Sequence, residues 1–145
     1  MTSRSRRIAI IAAIVACVGL ADSSYLTVKH LQGAYIRCGN ECSAVLGSRY
    51  ADGVAGVPLA CFGALAYLVV IVATLLAAAG WSIGRQIFTV MAIVMALTSV
   101  WLIYLQAFVI HAFCKYCLAS AAVCFTLAGL ALVDRFGPGT GAARP

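Results

Sequence analysis

Four long apolar stretches order the sequence, and almost every charge falls between or beyond them. The first runs from Ile8 to Val28 and is interrupted in its last third by Asp22 and two serines. The second runs from Val57 to Ala79, the third from Gln86 to Ile110 and the fourth from Cys114 to Val133. About 20 apolar residues are what an α-helix needs to cross a bilayer, so the pattern predicts four spans. Pro58 suits the first turn of the second span, Gly80 suits its end, and residues 80–85 form a tight turn with Trp81 as an interface anchor. Only His111, Ala112 and Phe113 separate the third span from the fourth, which makes those two a helical hairpin. A cleaved signal peptide would also fit the basic start and apolar core of the first stretch, but no clear A-x-A site follows it.

The expected fold is an all-α integral membrane protein, a four-transmembrane-helix bundle with an extracytoplasmic loop carrying a short helix between spans one and two. Its expected organisation is a basic N-terminus (1–7), a single membrane domain (8–134) and a disordered, glycine- and proline-rich tail (135–145). The spans cover about 8–28, 57–79, 86–110 and 114–133, and the outer loop covers 29–56. Within that loop, residues 43–50 predict a short amphipathic helix with Val45, Leu46 and Tyr50 as its apolar contacts.

Composition agrees. Of 145 residues, 64% are hydrophobic and 10% charged, whereas a soluble domain is about half apolar and a quarter charged. This excludes a soluble globular domain, a disordered chain, a fibrous repeat and a nucleic-acid binder. The net charge of +6 reflects arginines at the ends of the apolar stretches. Arg4, Arg6 and Arg7 precede the first span, and Arg85, Arg135 and Arg144 fall on the same side of the membrane. The positive-inside rule puts both termini in the cytoplasm and the large loop outside. A multi-pass protein of the bacterial cytoplasmic (inner) membrane is expected.

Seven cysteines in so short a chain need a reason. Cys17, Cys61 and Cys124 sit singly in apolar runs, where a cysteine acts as a small hydrophobe. The other four form two close pairs, Cys38/Cys42 in the large loop and Cys114/Cys117 at the start of span four. The predicted orientation puts both pairs outside, where disulfides persist. A C-x-x-C at a helix start brings its two sulfurs onto one face, within bridging reach. The positive end of the helix favours a thiolate, and Lys115 adds a cation. Such a pair can be oxidised and reduced without rebuilding the backbone. Two structural disulfides, a metal site completed by His111 and chance clustering compete with a redox relay, and the relay fits best.

The ordered motifs resemble a known family. Cys42 opens CSAVLGSRY, Gly56-Val57-Pro58 opens span two ahead of Phe62-Gly63, Phe113 precedes CKYC, and GLADSSYLTV lies in span one. Over about residues 8–134 this resembles the vitamin K epoxide reductase family in its bacterial disulfide-forming branch. The resemblance implies a four-helix bundle around a quinone, menaquinone or ubiquinone, with no metal. It makes Cys114 and Cys117 the redox centre, Cys117 deeper and facing the quinone, and Cys38 and Cys42 the shuttle pair. Ser48, six positions after Cys42, matches the family serine that supports the loop. Phe62, Leu59, Ala121 and His111 fall around the implied quinone pocket, and His111 is also placed to relay protons. Leu59 and Ala121 stand where animal members carry polar side chains, which argues against vitamin K epoxide as a substrate.

The implied activity is a membrane thiol:quinone oxidoreductase that reoxidises a separate secreted thioredoxin-like protein in support of disulfide formation. Asp22, a carboxylate within a span, is a further functional candidate. Another four-helix quinone-linked oxidase family places its C-x-x-C in the first outer loop, the reverse of the order here. An extracytoplasmic metal-binding membrane protein and a small four-helix transporter are the alternatives from other classes.

Overall fold

The structure, a computed structural model, describes residues 3–32, 40–51 and 56–137. Helix α1 covers Ser3–Leu31, α2 Asn40–Leu46, α3 Leu59–Ala78, α4 Ser82–Tyr104 and α5 Lys115–Phe136. A π-helical segment, Leu105–Ile110, continues α4. Four of these helical stretches are long and apolar enough to cross a membrane: Ser3–Leu31, Leu59–Ala78, Ser82–Ile110 and Lys115–Phe136. The protein is thus an all-α, four-span bundle with a short helix between spans one and two.

Helix α1 packs on α3 and α5, and α4 packs on the same two, so the four spans form a closed ring. Their shared core is built around small residues, including Ala12, Ala16, Ala73, Ala92 and Ala131, into which Tyr67, Phe88 and Leu127 interlock. Small side chains let helix backbones approach closely, the main source of attraction where lipid removes the hydrophobic drive. Branched and aromatic side chains such as Ile14, Leu65, Leu97 and Phe125 face outward instead. Buried hydroxyls return to their own helix: Thr74 donates to Ile71 O, Thr89 to Arg85 O and Ser99 to Met95 O.

The α3–α4 turn is fixed by glycine. Gly80 takes φ +96°, its N–H donates to Ala77 O at 3.0 Å, and Trp81 N–H donates to Leu76 O at 3.0 Å. These are the two bonds of a Schellman ending. At this end of the bundle Arg85 Nε meets Asp134 Oδ2 at 3.0 Å, tying α4 to the last turns of α5.

Four boundaries differ from the sequence pattern. Helix α1 begins at Ser3, inside the basic segment rather than after it, because arginine is a good helix former. The loop helix lies earlier than residues 43–50. The bond from Gly47 N–H to Ser43 O at 2.8 Å is the last helical one; Ser48 then turns the chain out of the helix, its N–H and its hydroxyl both donating to Val45 O, at 3.3 Å and 2.7 Å. Its buried residues are therefore Cys42 and Val45, while Tyr50 is exposed. Pro58 is the N-cap of α3 rather than part of its first turn. Helix α5 also runs on to Phe136, so the first residues of the expected tail (135–145) are helical; residues 138–145, the loop residues 33–39 with Cys38, and residues 52–55 lie outside the described residues.

Gly19 of α1 lies against the Tyr67 ring so closely that a β-carbon there would overlap the ring carbons. Tyr67 cannot retreat, since its hydroxyl is bonded to Ser120 and Cys124 on α5. Gly19→Ala is expected to destabilise the bundle by about 1–3 kcal/mol through overpacking, seen as a lower unfolding midpoint in detergent. Gly129→Ala, where a β-carbon meets nothing within 4 Å, is the matched control and should leave the midpoint unchanged.

Candidate redox site

The site forms at the end of the bundle where α5 starts. Cys114 is the N-cap of α5, with φ −88° and ψ 117°. Its sulfur accepts the backbone N–H of Cys117 at 3.4 Å, so a thiol does the capping that a serine or aspartate usually does. The two cysteines stand one turn apart, and both are free thiols. A hydrogen bond from the Cys117 side chain is the largest influence on Cys114 and, with the N–H groups of Cys117 and Tyr116, lowers its pKa to about 7. Burial and the charge of Asp22 act in the opposite direction. Cys114 is thus an acidified thiol because three hydrogen bonds converge on its sulfur at a helix N-terminus.

The loop helix folds onto this cap. Cys42, Val45, Ala112 and Cys114 form one buried cluster, with Cys117, Tyr116 and Ile110 packed against it. Cys42 and Cys114 are both fully buried, and Cys42 takes part in a disulfide. One loop cysteine and both C-x-x-C cysteines therefore share a single packed unit. The backbone leading into Cys114 is held from α4: Cys114 N–H donates to Gln106 Oε1 at 3.0 Å, and Ala112 N–H donates to Gln106 O at 3.2 Å. His111 closes the π-helical segment in a left-handed conformation, φ 54°, one that histidine adopts more readily than most side chains.

Beneath the cluster lies a cavity of about 130 Å³ between α1, α2, α3, the α4 end and α5. Cys117 reaches its wall, as do Leu59, Ala121 and Ser48. Ser23, Ser99, Gln106 and Ser120 add polar groups to a mostly apolar lining. Of the pocket residues read from the sequence, Leu59, Ala121 and Cys117 line this cavity. Phe62 and His111 do not: both are exposed, Phe62 on the surface of α3 and His111 at the turn. Cys38 lies outside the described residues.

Among the solitary cysteines, Cys17 is exposed and Cys61 partly buried. Cys124 is a core residue whose sulfur meets the Tyr67 hydroxyl at 3.2 Å, so it does more than fill space. Asp22 is partly buried, and its Oδ2 is shielded without a hydrogen-bond partner among the described residues. Sequence reasoning missed Gln106 and Ser120. Gln106 carried a usable signal, being a lone amide in a long apolar run.

The pattern of the vitamin K epoxide reductase family matches residues 10–132. No curated protein matches the chain. The matched stretch takes in the loop helix, the cavity and the whole C-x-x-C turn, and it leaves out little beyond the two ends. A match of that extent makes the chain a member of the vitamin K epoxide reductase family, a multi-pass membrane protein from a family of oxidoreductases that work with quinone-type electron partners.

Proposed function

We propose that this protein reoxidises a separate secreted thioredoxin-like protein and delivers the electrons to a membrane quinone, supporting disulfide formation outside the bacterial cytoplasmic membrane. The carrying observation is the buried cluster that joins Cys42 to Cys114 and Cys117 at the wall of a cavity. A structural disulfide needs no second thiol pair packed against it, whereas a relay does.

The chemistry runs by exchange. A thiolate of the incoming dithiol attacks the Cys38–Cys42 disulfide, leaving as a disulfide itself and the loop pair as two thiols. Cys42 then attacks Cys114 of the oxidised C-x-x-C, breaking the Cys114–Cys117 bond and releasing Cys117 as a thiolate. Cys38 resolves the Cys42–Cys114 bridge, and Cys114 leaves as a stabilised thiolate. Its capped position suits this role, because a more acidic thiol is a better leaving group. Ser48 holds the turn after α2 through its bond to Val45 O, keeping Cys42 seated.

The space beside Cys117, about 130 Å³ with an apolar lining and polar groups at its wall, is where the edge of a quinone ring would enter. When bound, a quinone supplies a two-electron, two-proton acceptor. Cys117 is the thiol facing that space, and Leu59 and Ala121 give it flat apolar surfaces. Asp22 acts electrostatically on Cys114 and is the carboxylate available to take up a proton there. The first span, preceded by three arginines, orients the chain with its termini in the cytoplasm.

Three outcomes test this reading. An alkaline phosphatase fusion after Ala51 should be active and one after Pro145 inactive; the opposite pattern would put the cysteines in a reducing compartment. In Cys117→Ser, the Cys114 thiolate should attack the loop disulfide and accumulate as a Cys42–Cys114 bridge, seen as a mobility shift abolished by reductant. Cys114→Ser should show no such shift, and an equal bridge from Cys117 would sink the division of labour. The third outcome concerns pH. With Cys17 and Cys61 replaced by Ala, Cys124 by Ser to keep its bond to Tyr67, and Cys114/Cys117 reduced, ultraviolet thiolate absorbance should rise through a step near pH 7, as the lowered pKa of Cys114 requires. Thiolate forms above that pH and is lost below it. The step should vanish in Cys114→Ser and move to higher pH in Cys117→Ala, which removes the chief hydrogen bond.

A further inference from the structure

We propose that Gln106 is the group that recognises a quinone carbonyl in the cavity, its amide nitrogen donating to the ring oxygen while its amide oxygen anchors the backbone of Cys114. The proposal rests on the function proposed above and names a recognition residue for it.

The orientation of the amide is set by its neighbour. Cys114 N–H can only donate, and it points at the Gln106 side chain at 3.0 Å, so the atom facing it must be the oxygen. The nitrogen then faces away from the cap with two N–H donors. Gln106 is 3% exposed, yet its nitrogen has no hydrogen-bond partner among the described residues and is not sealed from the cavity it lines. A nearly buried amide with a free donor costs stability unless something accepts from it. Of the other polar groups along the wall, the Ser23 hydroxyl has no hydrogen bond among the described residues but lacks the paired donors of an amide, and three further serines are already bonded. Ser99 donates to Met95 O, Ser48 to Val45 O, and Ser120 is joined to the Tyr67 hydroxyl at 2.9 Å.

The backbone around Gln106 supports a specific purpose. It lies in the π-helical segment, a wide turn that costs hydrogen-bond geometry and recurs at functional sites. Its carbonyl takes the N–H groups of both His111 and Ala112, so one residue ends α4 through its backbone and starts α5 through its side chain. A ring oxygen bonded to the Gln106 amide would sit beside the wall that carries Cys117. The ligand chemistry called for is a flat ring bearing an oxygen acceptor at its edge, which an unsubstituted hydrocarbon ring lacks.

The test compares two rings of nearly equal shape, duroquinone and durene, which differ by the carbonyl oxygens. Dissociation constants are measured calorimetrically on the full chain in detergent, with its cysteines first oxidised so that no electron transfer competes. One net hydrogen bond predicts that the natural protein prefers duroquinone by about tenfold. Gln106→Met, which keeps the length but not the donor, should bring that preference close to one. Gln106→Glu keeps the acceptor that Cys114 N–H needs and, read at a pH where its infrared carboxylate band shows it ionised, has no donor; it should lose the preference there too, and it carries the test if the methionine variant fails to fold. An unchanged preference in a folded variant overturns the role of Gln106. Equal binding of both rings by the natural protein also overturns it, yet leaves the cavity as a ring site. Binding of neither ring overturns the quinone reading itself and this proposal with it.

Discussion

A bilayer offers no hydrogen bonds to a protein backbone, and most of this structure follows from that. Every long segment must be helical, because a helix satisfies its own amides. Irregular backbone is tolerated only where protein covers it. Here the described irregular segment of greatest consequence is the turn from Ile110 to Cys114, and the loop helix folds over it. The same requirement makes the site. The first N–H groups of α5 have no partners in their own helix, and the acceptors that satisfy them are the sulfur of Cys114 and, just upstream, the side chain of Gln106. A cap made of sulfur is also an acidified thiol. Stabilising the helix start and preparing the cysteine are one physical act.

The second consequence is a division of the bundle along its length. Toward the chain termini the ring of helices is filled, with Tyr67, Phe88 and Leu127 interlocked among alanines. Toward the C-x-x-C, Ser23, Gly63, Ser99 and Ser120 join the leucines on the inward side, and a cavity opens. Tyr67 marks the boundary: its ring occupies the space left by Gly19, and its hydroxyl bonds to Ser120 at the cavity wall and to Cys124 in the core. The floor of the cavity is thereby fixed by hydrogen bonds as well as by packing.

The fold was legible because span length is written in the chemistry of single residues, and so was the turn at Gly80, where a positive φ favours glycine. The placement of the C-x-x-C at a helix start was legible for the same reason, since the polar His111 and Lys115 interrupt two apolar runs. The π-helical segment was not. An extra residue in one turn changes which side chains point inward, but residues 105–110 are nearly uniformly apolar and carry no periodicity that could record the change. His111 was placed at the pocket by the family resemblance, and Gln106, a lone amide in the apolar run, was passed over because nothing in the pattern showed which way it would point. Phe62, put at the pocket by the resemblance, is exposed on α3, and in a helix apolar all round composition does not tell the lipid face from the ring interior. The loop helix shifted because its end is set by the Ser48 hydroxyl, a local bond that competes with the amphipathic pattern.

On the proposed reading, the three-residue spacing of the C-x-x-C does more than allow a disulfide. One helical turn separates a sulfur sealed against the loop from a sulfur at the wall of an apolar cavity. Cys114 lies with Cys42 in the buried cluster, and Cys117 opens on the space lined by Leu59 and Ala121. A protein thiol arriving from outside meets the loop pair, and nothing about its size would let it enter a cavity of about 130 Å³. A ring from the membrane reaches Cys117 without meeting the loop disulfide. The two halves of the reaction are thus kept apart by packing alone, and the Cys114–Cys117 bond is the only covalent link between them. Gln106 spans the same divide without a covalent bond, its oxygen on the backbone of Cys114 and its nitrogen on the cavity side. An interaction on one side is therefore felt at the cap on the other, which makes the start of α5 the natural place for ring binding to influence thiol chemistry.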